Sequence, residues 1–501
     1  MQHTNTPDGR TTAPVAGRHG GRALARIATL VLVCMATLAG CGGGGGGGGG
    51  GGSTGGNLTT NDPCSITARN QWVIDTMKEW YLYPDLLVTS VSATSNSSPQ
   101  ATIDAMTATA RAQNKDRYFS YITSIAQENA FNSSGATAGF GVRLYTDTAA
   151  SRLYVTEAFE GAPALAAGID RGDEIVAIGT SEATLATVAS LLASGGSQAV
   201  TDALGPTTAG TTRTLRVAGA AGTRTLTVTK ADYSLTPVST RYGARILDDA
   251  GRKVGYVNLR TFISSADAQL RSAFDSFRNA GINEVIVDFR YNGGGLVATA
   301  DLLGDLLGGN RSSGQIFEQM TFRPEKSANN STHYFTAQPQ AVAPLKLAFI
   351  TTGGTASASE LVVNGMLPYF TTNLALVGAN TYGKPVGQVA IDRATCDDRL
   401  RVIAFALRNA SGSENYFNGL AGTVNVSCRA ADDYTHAMGD LLETSTRQAL
   451  DFLAGRPCTA IAGGSTPGLA KPGGLEALQT EPEPLLPAQP SPAQREVPGL
   501  F

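Results

Sequence analysis

The strongest constraint on the fold is an alternation of buried-strand and helical patterns between residues 255 and 377. The continuous apolar run 284–289 is typical of a strand covered on both faces. The segment 266–280 places Leu270, Phe274 and Phe277 at helical spacing, and a glycine follows it. Further strands are predicted at 255–260, 347–350 and 374–377, and further helices at 296–307 and 358–367. This alternation predicts an α/β fold with a parallel sheet, although it leaves the strand order open.

A second kind of pattern occupies residues 136–232. The segments 139–145 and 153–157 alternate like strands, and a short helix, a glycine stop, a turn and another strand follow through residue 178. We therefore predict a β-rich domain over 136–232, which either precedes the α/β domain or is inserted in it.

This β-rich stretch resembles a PDZ domain. The resemblance places the segment Gly139, Phe140, Gly141 and Val142 where a PDZ loop binds the terminal carboxylate of a peptide. Successive backbone N–H groups would hold the carboxylate while an exposed sheet edge pairs with the peptide. Taken alone, these four residues are also compatible with a simple strand start.

The first 61 residues carry targeting signals. Arg22 and Arg26 precede the apolar run 27–38, which is too short to span a bilayer and predicts a signal peptide over 1–40. The run ends in Leu-Ala-Gly-Cys41, which resembles a bacterial lipobox and implies cleavage before Cys41 and a lipid on its sulfur. The glycine-rich segment 41–61 would be a flexible tether. We expect a lipid anchor at the bacterial outer membrane, on its periplasmic or cell-surface side, and the alternative is an ordinary signal peptide with a stray cysteine.

Three other ranges complete the predicted organisation. Residues 62–135 form an N-terminal helical region, in which Trp72, Met77, Trp80 and Tyr81 line one buried face. The α/β domain is assigned to 233–460. The proline-rich tail 461–501 is predicted to be disordered.

Four cysteines remain after the signal peptide and Cys41 are set aside. In an exported chain, Cys64, Cys396, Cys428 and Cys458 predict two disulfides. Three pairings are possible, and we favour Cys396–Cys428 and Cys64–Cys458. The sequence contains no Cys-x-x-Cys or His-rich spacing, so it does not predict a metal site.

The charge balance excludes one class of partner. The net charge is −3 with only 16% charged residues, which gives no basic surface for nucleic acid. No motif indicates a cofactor.

A candidate nucleophile lies at the start of the helix predicted at 358–367. Ser357 follows a strand directly, so unpaired N–H groups of the helix start could stabilise an oxyanion beside its hydroxyl. The alternative is an ordinary helix-capping arrangement with Glu360. Neither His333 nor His436 is well placed for a Ser-His-Asp triad.

Lys384 is the candidate base. It follows the next strand, and a βαβ return could bring it beside Ser357. Desolvation would lower the pKa of its amine, and Gln388 could orient it. The alternative is a solvated loop lysine.

Together these segments resemble the tail-specific, or C-terminal-processing, peptidases over roughly 62–455. The matching pieces are Ser-Ala-Ser-Glu at 357–360, Tyr-Gly-Lys at 382–384 with Gln388, and the glycine turn at 288–295. The resemblance implies a crotonase-like α/β core with Ser357 as nucleophile, Lys384 as general base and Gln388 as its orienting partner. It also implies oxyanion donors on the backbone of Ala358 and, within one residue, of Gly294. A slightly longer interval between serine and lysine leaves Ser359 as an alternative nucleophile.

The resemblance favours a serine endopeptidase that cuts exported polypeptides near their C-termini through an acyl-enzyme. Two other classes stay open. One is a catalytically silent peptide-binding scaffold lipoprotein, and the other is a carrier of small apolar ligands on the same scaffold.

Overall fold

The computed structural model describes residues 62–462 and 482–501. The predicted signal peptide, the lipidation site Cys41 and the glycine tether therefore lie outside the described residues. Within the two described ranges, no helix has the length and apolarity needed to cross a membrane.

The N-terminal region is mainly helical. Its elements are α1 (Ile66–Trp80), α2 (Pro99–Met106), α3 (Ala108–Ala112), β1 (Tyr121–Ser124) and α4 (Ile125–Ser134). Helix α1 begins after Ser65, whose hydroxyl accepts the N–H of Ala68. Met77 and Tyr81 are fully buried, as the aromatic stripe predicted, while Trp72 and Trp80 pack at the edge of that cluster.

The β-rich unit follows. It contains β2 (Ala136–Gly139), β3 (Val142–Asp147), β4 (Arg152–Ala158), α5 (Pro163–Ala166), β5 (Glu174–Gly179), β6 (Ala186–Thr187), α6 (Val188–Leu204), β7 (Thr212–Gly219), β8 (Gly222–Thr229) and β9 (Ala231–Ser234). Strands β3, β4, β5, β7 and β8 lie side by side in that order, β6 pairs with β5, and β2 pairs separately with β9.

The α/β unit contains the predicted βαβ elements. Its elements are β10 (Ala244–Asp249), β11 (Arg252–Asn258), α7 (Ala266–Asn279), β12 (Glu284–Asp288), α8 (Val297–Leu307), β13 (Ile316–Phe322), β14 (Ser331–Tyr334), β15 (Lys346–Thr351), α9 (Ala358–Phe370), β16 (Leu374–Gly378), β17 (Val386–Arg393), β18 (Asp398–Arg408), β19 (Val426–Arg429) and α10 (Thr444–Leu453).

Six of these strands form the central sheet, in the order β10-β11-β12-β15-β16-β19. The β10–β11 pair is antiparallel and the other pairs are parallel. Helices α7, α8 and α9 pack on one face and α10 on the other. Coverage of both faces explains why these strands read as continuous apolar runs.

A second, antiparallel sheet joins the N-terminal region to the α/β unit. Its order is β1-β18-β13-β14, and β17 also pairs with β18. Helices α1 and α2 cover this sheet through one shared apolar cluster. The N-terminal region thus contributes a strand to the same sheet as the segment that follows Lys384.

Both disulfides occur, but the favoured pairing was wrong. The structure joins Cys64 to Cys396 and Cys428 to Cys458. Strand β18 begins just after Cys396 and lies beside β1, which brings the N-terminal residues close to it. Cys428 lies in β19 on the far edge of the other sheet, so it cannot reach Cys396.

The prediction of a disordered tail was also wrong for residues 482–501. They form β20 (Glu483–Pro484) and α11 (Pro492–Glu496). Leu485, Val497, Leu500 and Phe501 are buried. These apolar side chains provide the burial that a disordered proline-rich segment lacks.

Candidate active site

Ser357 occupies a strained turn between β15 and α9. Its backbone has φ 55° and ψ −114°, a combination that residues other than glycine rarely adopt. Such conformations cost about 1–3 kcal/mol and concentrate at functional sites. The turn leaves the serine side chain partly exposed at the first turn of α9, where it lines a cleft of about 110 Å³.

The buried carboxylate of Glu360 holds this turn against the segment that carries Lys384. Its Oε2 accepts the backbone N–H of Ser357 at 2.9 Å and that of Lys384 at 2.8 Å. Its Oε1 accepts the N–H of Gly383 at 2.7 Å. Burial raises the pKa of Glu360, and these donors, with the Thr381 hydroxyl, oppose that rise. One oxygen atom therefore holds the backbones of the two candidate dyad residues next to each other.

Lys384 extends its amine toward Gln388. Nζ donates to Gln388 Oε1 at 3.0 Å, and Gln388 Nε2 donates to the Phe119 carbonyl at 2.5 Å, which fixes the orientation of the amide. Burial lowers the pKa of the lysine. Two carboxylates, of Glu496 and Asp116, raise this pKa, and two guanidiniums, of Arg495 and Arg401, lower it. No hydrogen bond joins Nζ to the Ser357 hydroxyl anywhere in the described ranges.

The glycine turn lies directly against the nucleophile turn. A Cβ built on Gly294 would lie 2.8 Å from the Cβ of Ser357, and the backbone of Gly294 has φ 118°, so only glycine fits there. The N–H of Gly294 donates to Asn292 Oδ1 at 2.9 Å, and the Asn292 carbonyl accepts the N–H of Ala356 at 3.0 Å. The predicted donor Gly294 is thus already paired, and the neighbouring Gly293 presents its N–H to another part of the chain at 3.0 Å.

The structure separates the two candidate serines. Ser359 is fully buried and donates to the Asn292 carbonyl at 3.2 Å, whereas Ser357 lines the cleft together with Ala358 and Gln388. Of these two serines, only Ser357 lines the cleft.

The histidines lie apart from this cleft. His333 pairs with Asp305 and His436 with Asp433. Among residues 62–462 and 482–501, no group of three or more His, Cys, Asp or Glu side chains is arranged to hold a metal ion.

The predicted carboxylate loop lies at the start of β3. The backbone N–H groups of Gly141 and Val142 both donate to the terminal Phe501 oxygen of this same chain, at 2.8 and 3.1 Å. Phe140 points into the core of the β-rich unit, and Gly139 lies against the Phe501 carbonyl. Two of the four predicted residues, Gly141 and Val142, thus donate their N–H groups to the Phe501 carbonyl oxygen.

Sequence reasoning missed two features of this site. Glu360 was considered only as a capping residue, although its offset of three from Ser357 also allows it to bind a second loop. The apolar pair Leu500-Phe501 was the signal for a segment packed on the fold, and the many prolines before it obscured that signal.

Comparisons with known proteins agree with this geometry. A model of peptidase family S41 matches residues 253–426, and a model of the S41 N-terminal domain matches residues 68–121. A carboxyl-terminal-processing protease of Synechocystis is 26% identical over 50% of this chain and 54% of its own length. Carboxyl-terminal-processing peptidase 2 of Arabidopsis thaliana is 29% identical over 50% of this chain and 46% of its own. The chain spans about half the length of the curated relatives that it matches.

A solved structure shows the same fold. The S41 protease from Bacteroides fragilis superposes with a TM-score of 0.59 and 23% identity over 77% of this chain and 97% of its own. The two proteins share the mixed α/β architecture. Peptidase family S41 domains are thus present at residues 68–121 and 253–426, and the curated relatives are named carboxyl-terminal-processing proteases and peptidases.

Proposed function

We propose that this protein is a serine endopeptidase with a Ser357–Lys384 dyad that cleaves exported polypeptides near their C-termini. The observation that carries the proposal is the shared carboxylate of Glu360, which binds the backbone N–H groups of both dyad residues. A strained, partly exposed serine beside a desolvated lysine has the requirements of an activated nucleophile.

The reaction proceeds through an acyl-enzyme. The neutral amine of Lys384 takes the proton of the Ser357 hydroxyl as Oγ attacks the scissile carbonyl. The N–H groups of Ala358 and Gly293 stabilise the oxyanion. Collapse of the tetrahedral intermediate breaks the C–N bond, and the leaving amine takes the proton from Lys384. Water then attacks the ester, again with Lys384 as base, and regenerates the serine.

Gln388 acts as a positioning residue. Its amide nitrogen is bound to the Phe119 carbonyl, so its oxygen faces the lysine and restricts the rotamers of the side chain. Loss of this contact would misplace the base rather than remove it.

The β-rich unit is the proposed PDZ-type domain, and the α/β unit is the proposed crotonase-like core. Support for the first comes from the N–H groups of Gly141 and Val142, which donate to the Phe501 carbonyl oxygen, and from β3, whose outer edge pairs with another segment of the chain. A substrate with an apolar C-terminus would bind there by strand addition and present an upstream peptide bond to Ser357.

The protein would act on exported polypeptides from a lipid anchor. The motif ending at Cys41 and the following glycines support attachment at the outer membrane through a flexible tether.

Active-site labelling and hydrolysis test the proposal. A fluorophosphonate should label one serine in the peptide that contains residues 355–360, and Ser357→Ala should abolish both labelling and digestion of an unfolded protein. Thr187→Ala, which removes the N-cap hydroxyl of α6 outside the cleft, is the matched control. Digestion by Ser357→Ala at the parent rate would refute the peptidase assignment. Peptide binding without turnover would favour the silent scaffold.

A further inference from the structure

Residues 499–501 of the same chain occupy the predicted carboxylate loop and the edge of β3. Besides the two N–H groups that bind the Phe501 oxygen, the Phe501 N–H donates to the Val142 carbonyl at 2.9 Å. The Leu144 N–H donates to the Gly499 carbonyl at 2.8 Å. These bonds add residues 499–501 to the sheet as an antiparallel strand, in the manner of a peptide bound by strand addition.

The last two side chains point to opposite faces of this added strand. Phe501, only 2% exposed, packs into the core of the β-rich unit with Val142 and Leu144. Leu500 is equally buried, in a separate cluster with Phe131. The alternation is that of a strand, and both pockets are filled.

The segment just before this strand crosses the candidate active site. The Glu496 carbonyl accepts the N–H of Gly293 at 3.0 Å, which is one of the donors proposed for the oxyanion. A Cβ on Gly293 would lie 2.6 Å from the Arg495 carbonyl, so the tail backbone touches the glycine turn. Glu496 also lines the cleft beside Ser357.

One further contact holds the tail over the cleft, and a second lies within the tail and sets its shape. The Arg495 guanidinium lies 3.7 Å from the centre of the Tyr121 ring, a cation–π arrangement. The Val497 N–H donates to the Ala493 carbonyl at 2.8 Å, so this part of the tail is a helical turn rather than an extended segment. Pro492 and Ala493 are buried against the N-terminal region and the β-rich unit.

We propose that residues 482–501 are an intramolecular ligand that closes the peptide groove and the catalytic cleft together, so that the free protein is autoinhibited. The groove half of the inference stands on the contacts of Phe501 alone. The cleft half rests on the proposed peptidase function. The ligand class is a polypeptide with a free C-terminus that ends in an aromatic residue preceded by leucine, and a substrate with such an end would displace the tail.

The tail residues Glu496 and Arg495 act on the pKa of Lys384 in opposite directions, and the rise caused by Glu496 is the larger of the two. The carboxylate of Glu496 favours the protonated form of the Lys384 amine, which cannot serve as a base. In this bound state Nζ contacts Gln388 and not the serine hydroxyl. When the tail departs, the Glu496 carboxylate leaves the cleft, the Gly293 N–H loses its partner and the cleft beside Ser357 opens.

Covalent linkage makes such a ligand effective even when its intrinsic affinity is modest. Tethered ligands reach effective concentrations on the order of millimolar, so a peptide dissociation constant of about 10 µM would leave roughly one open molecule in 100. Releasing the tail is then expected to raise kcat/KM by up to about 100-fold.

The test compares full-length variants on an unfolded protein substrate. Phe501→Asp places a charge in the apolar pocket and should release the tail. Leu486→Asp changes an exposed tail residue to the same side chain and is the matched control. We expect a large gain in kcat/KM for the first and none for the second, with unchanged melting temperature of the remaining fold. Glu496→Gln should give a smaller gain, through the lysine alone.

Binding is measured separately from catalysis. A fluorescent peptide with the sequence of residues 491–501 should bind Phe501→Asp, bind the parent far more weakly, and inhibit Phe501→Asp competitively. The same peptide with an amidated C-terminus should bind at least about tenfold more weakly, because it lacks the carboxylate.

The outcomes separate the two proposals. Equal kcat/KM for Phe501→Asp and the parent, or equal peptide binding by both, would overturn the autoinhibition. Loss of C-terminal residues from the parent that depends on Ser357, seen by mass spectrometry, would also overturn it, since the tail would then be a substrate. Peptide binding to a Ser357→Ala, Phe501→Asp chain, with no hydrolysis by any variant, would keep the groove ligand and reject the peptidase.

Discussion

The substitution Glu360→Gln tests whether one buried carboxylate assembles the dyad. Glutamine keeps the size of the side chain but leaves a single acceptor oxygen. If that oxygen faces Gly383, the new NH₂ group meets the N–H groups of Ser357 and Lys384, which both point at Oε2. Hydrogen bonds to a charged acceptor contribute about 1.5–3 kcal/mol each, so the two lost bonds amount to roughly 3–6 kcal/mol.

That energy exceeds the cost of the strained backbone conformation of Ser357. The positive φ costs about 1–3 kcal/mol, so the turn should relax once the carboxylate is gone. A displacement near 1 Å at a reacting group can cost about 100-fold in rate. We therefore expect kcat to fall by about two orders of magnitude or more, with a smaller change in KM.

Initial rates on a peptide substrate and thermal unfolding measure the two effects. Asp305→Asn is the matched control, because Asp305 is also a buried carboxylate that accepts a backbone N–H, from Thr336 at 2.8 Å, outside the cleft. The control should lose stability while retaining kcat. If Glu360→Gln retains the kcat of the parent, the shared carboxylate does not position the dyad and the reasoning fails.

Three further predictions follow from other contacts. The pH profile of kcat/KM should rise through a single ionisation below the ordinary lysine value of 10.5, because burial lowers the pKa of Lys384 and only its neutral amine is a base; a pH-independent rate would contradict this. Non-reducing peptide mapping should recover the pairs found here, and replacing Cys428 and Cys458 by alanine should cost about 2–4 kcal/mol of unfolding free energy. Burial raises the pKa of Glu318 to about 8, so the folded state binds a proton that the unfolded state releases and the parent loses stability between about pH 4.5 and pH 8. Glu318→Gln lacks this titration, so its melting temperature should exceed that of the parent more at pH 8.5 than at pH 5, and an equal difference at both would contradict the shift.

The secondary structure of the α/β unit followed closely from the sequence. The strand predicted at 284–289 is observed at Glu284–Asp288, and the helix predicted at 358–367 is observed at Ala358–Phe370. These elements can be predicted from the sequence because their burial pattern repeats along the chain, every two residues in a strand and every 3.6 residues in a helix. The strand β1 was missed because its partner, β18, lies far away in sequence.

The candidate site also has one part that local sequence motifs predicted and another part that they did not. Ser357, Lys384 and Gln388 were found from short motifs, each in its local setting, and the family resemblance followed from them. The occupied donor at Gly293, and the disulfide pairing, depend on which segments meet across the fold, and no local pattern contains that information.

The sequence by itself thus determined the βαβ alternation, the position of the candidate nucleophile Ser357 and the family resemblance. Only the tertiary structure decided that Glu360 joins two loops and that Cys64 pairs with Cys396. It also decided that the proline-rich tail ends in a filled groove. The physical reason is that periodicity records which face of an element is buried, whereas contacts between distant segments arise from sheet order and packing, which the chain specifies only when it is folded.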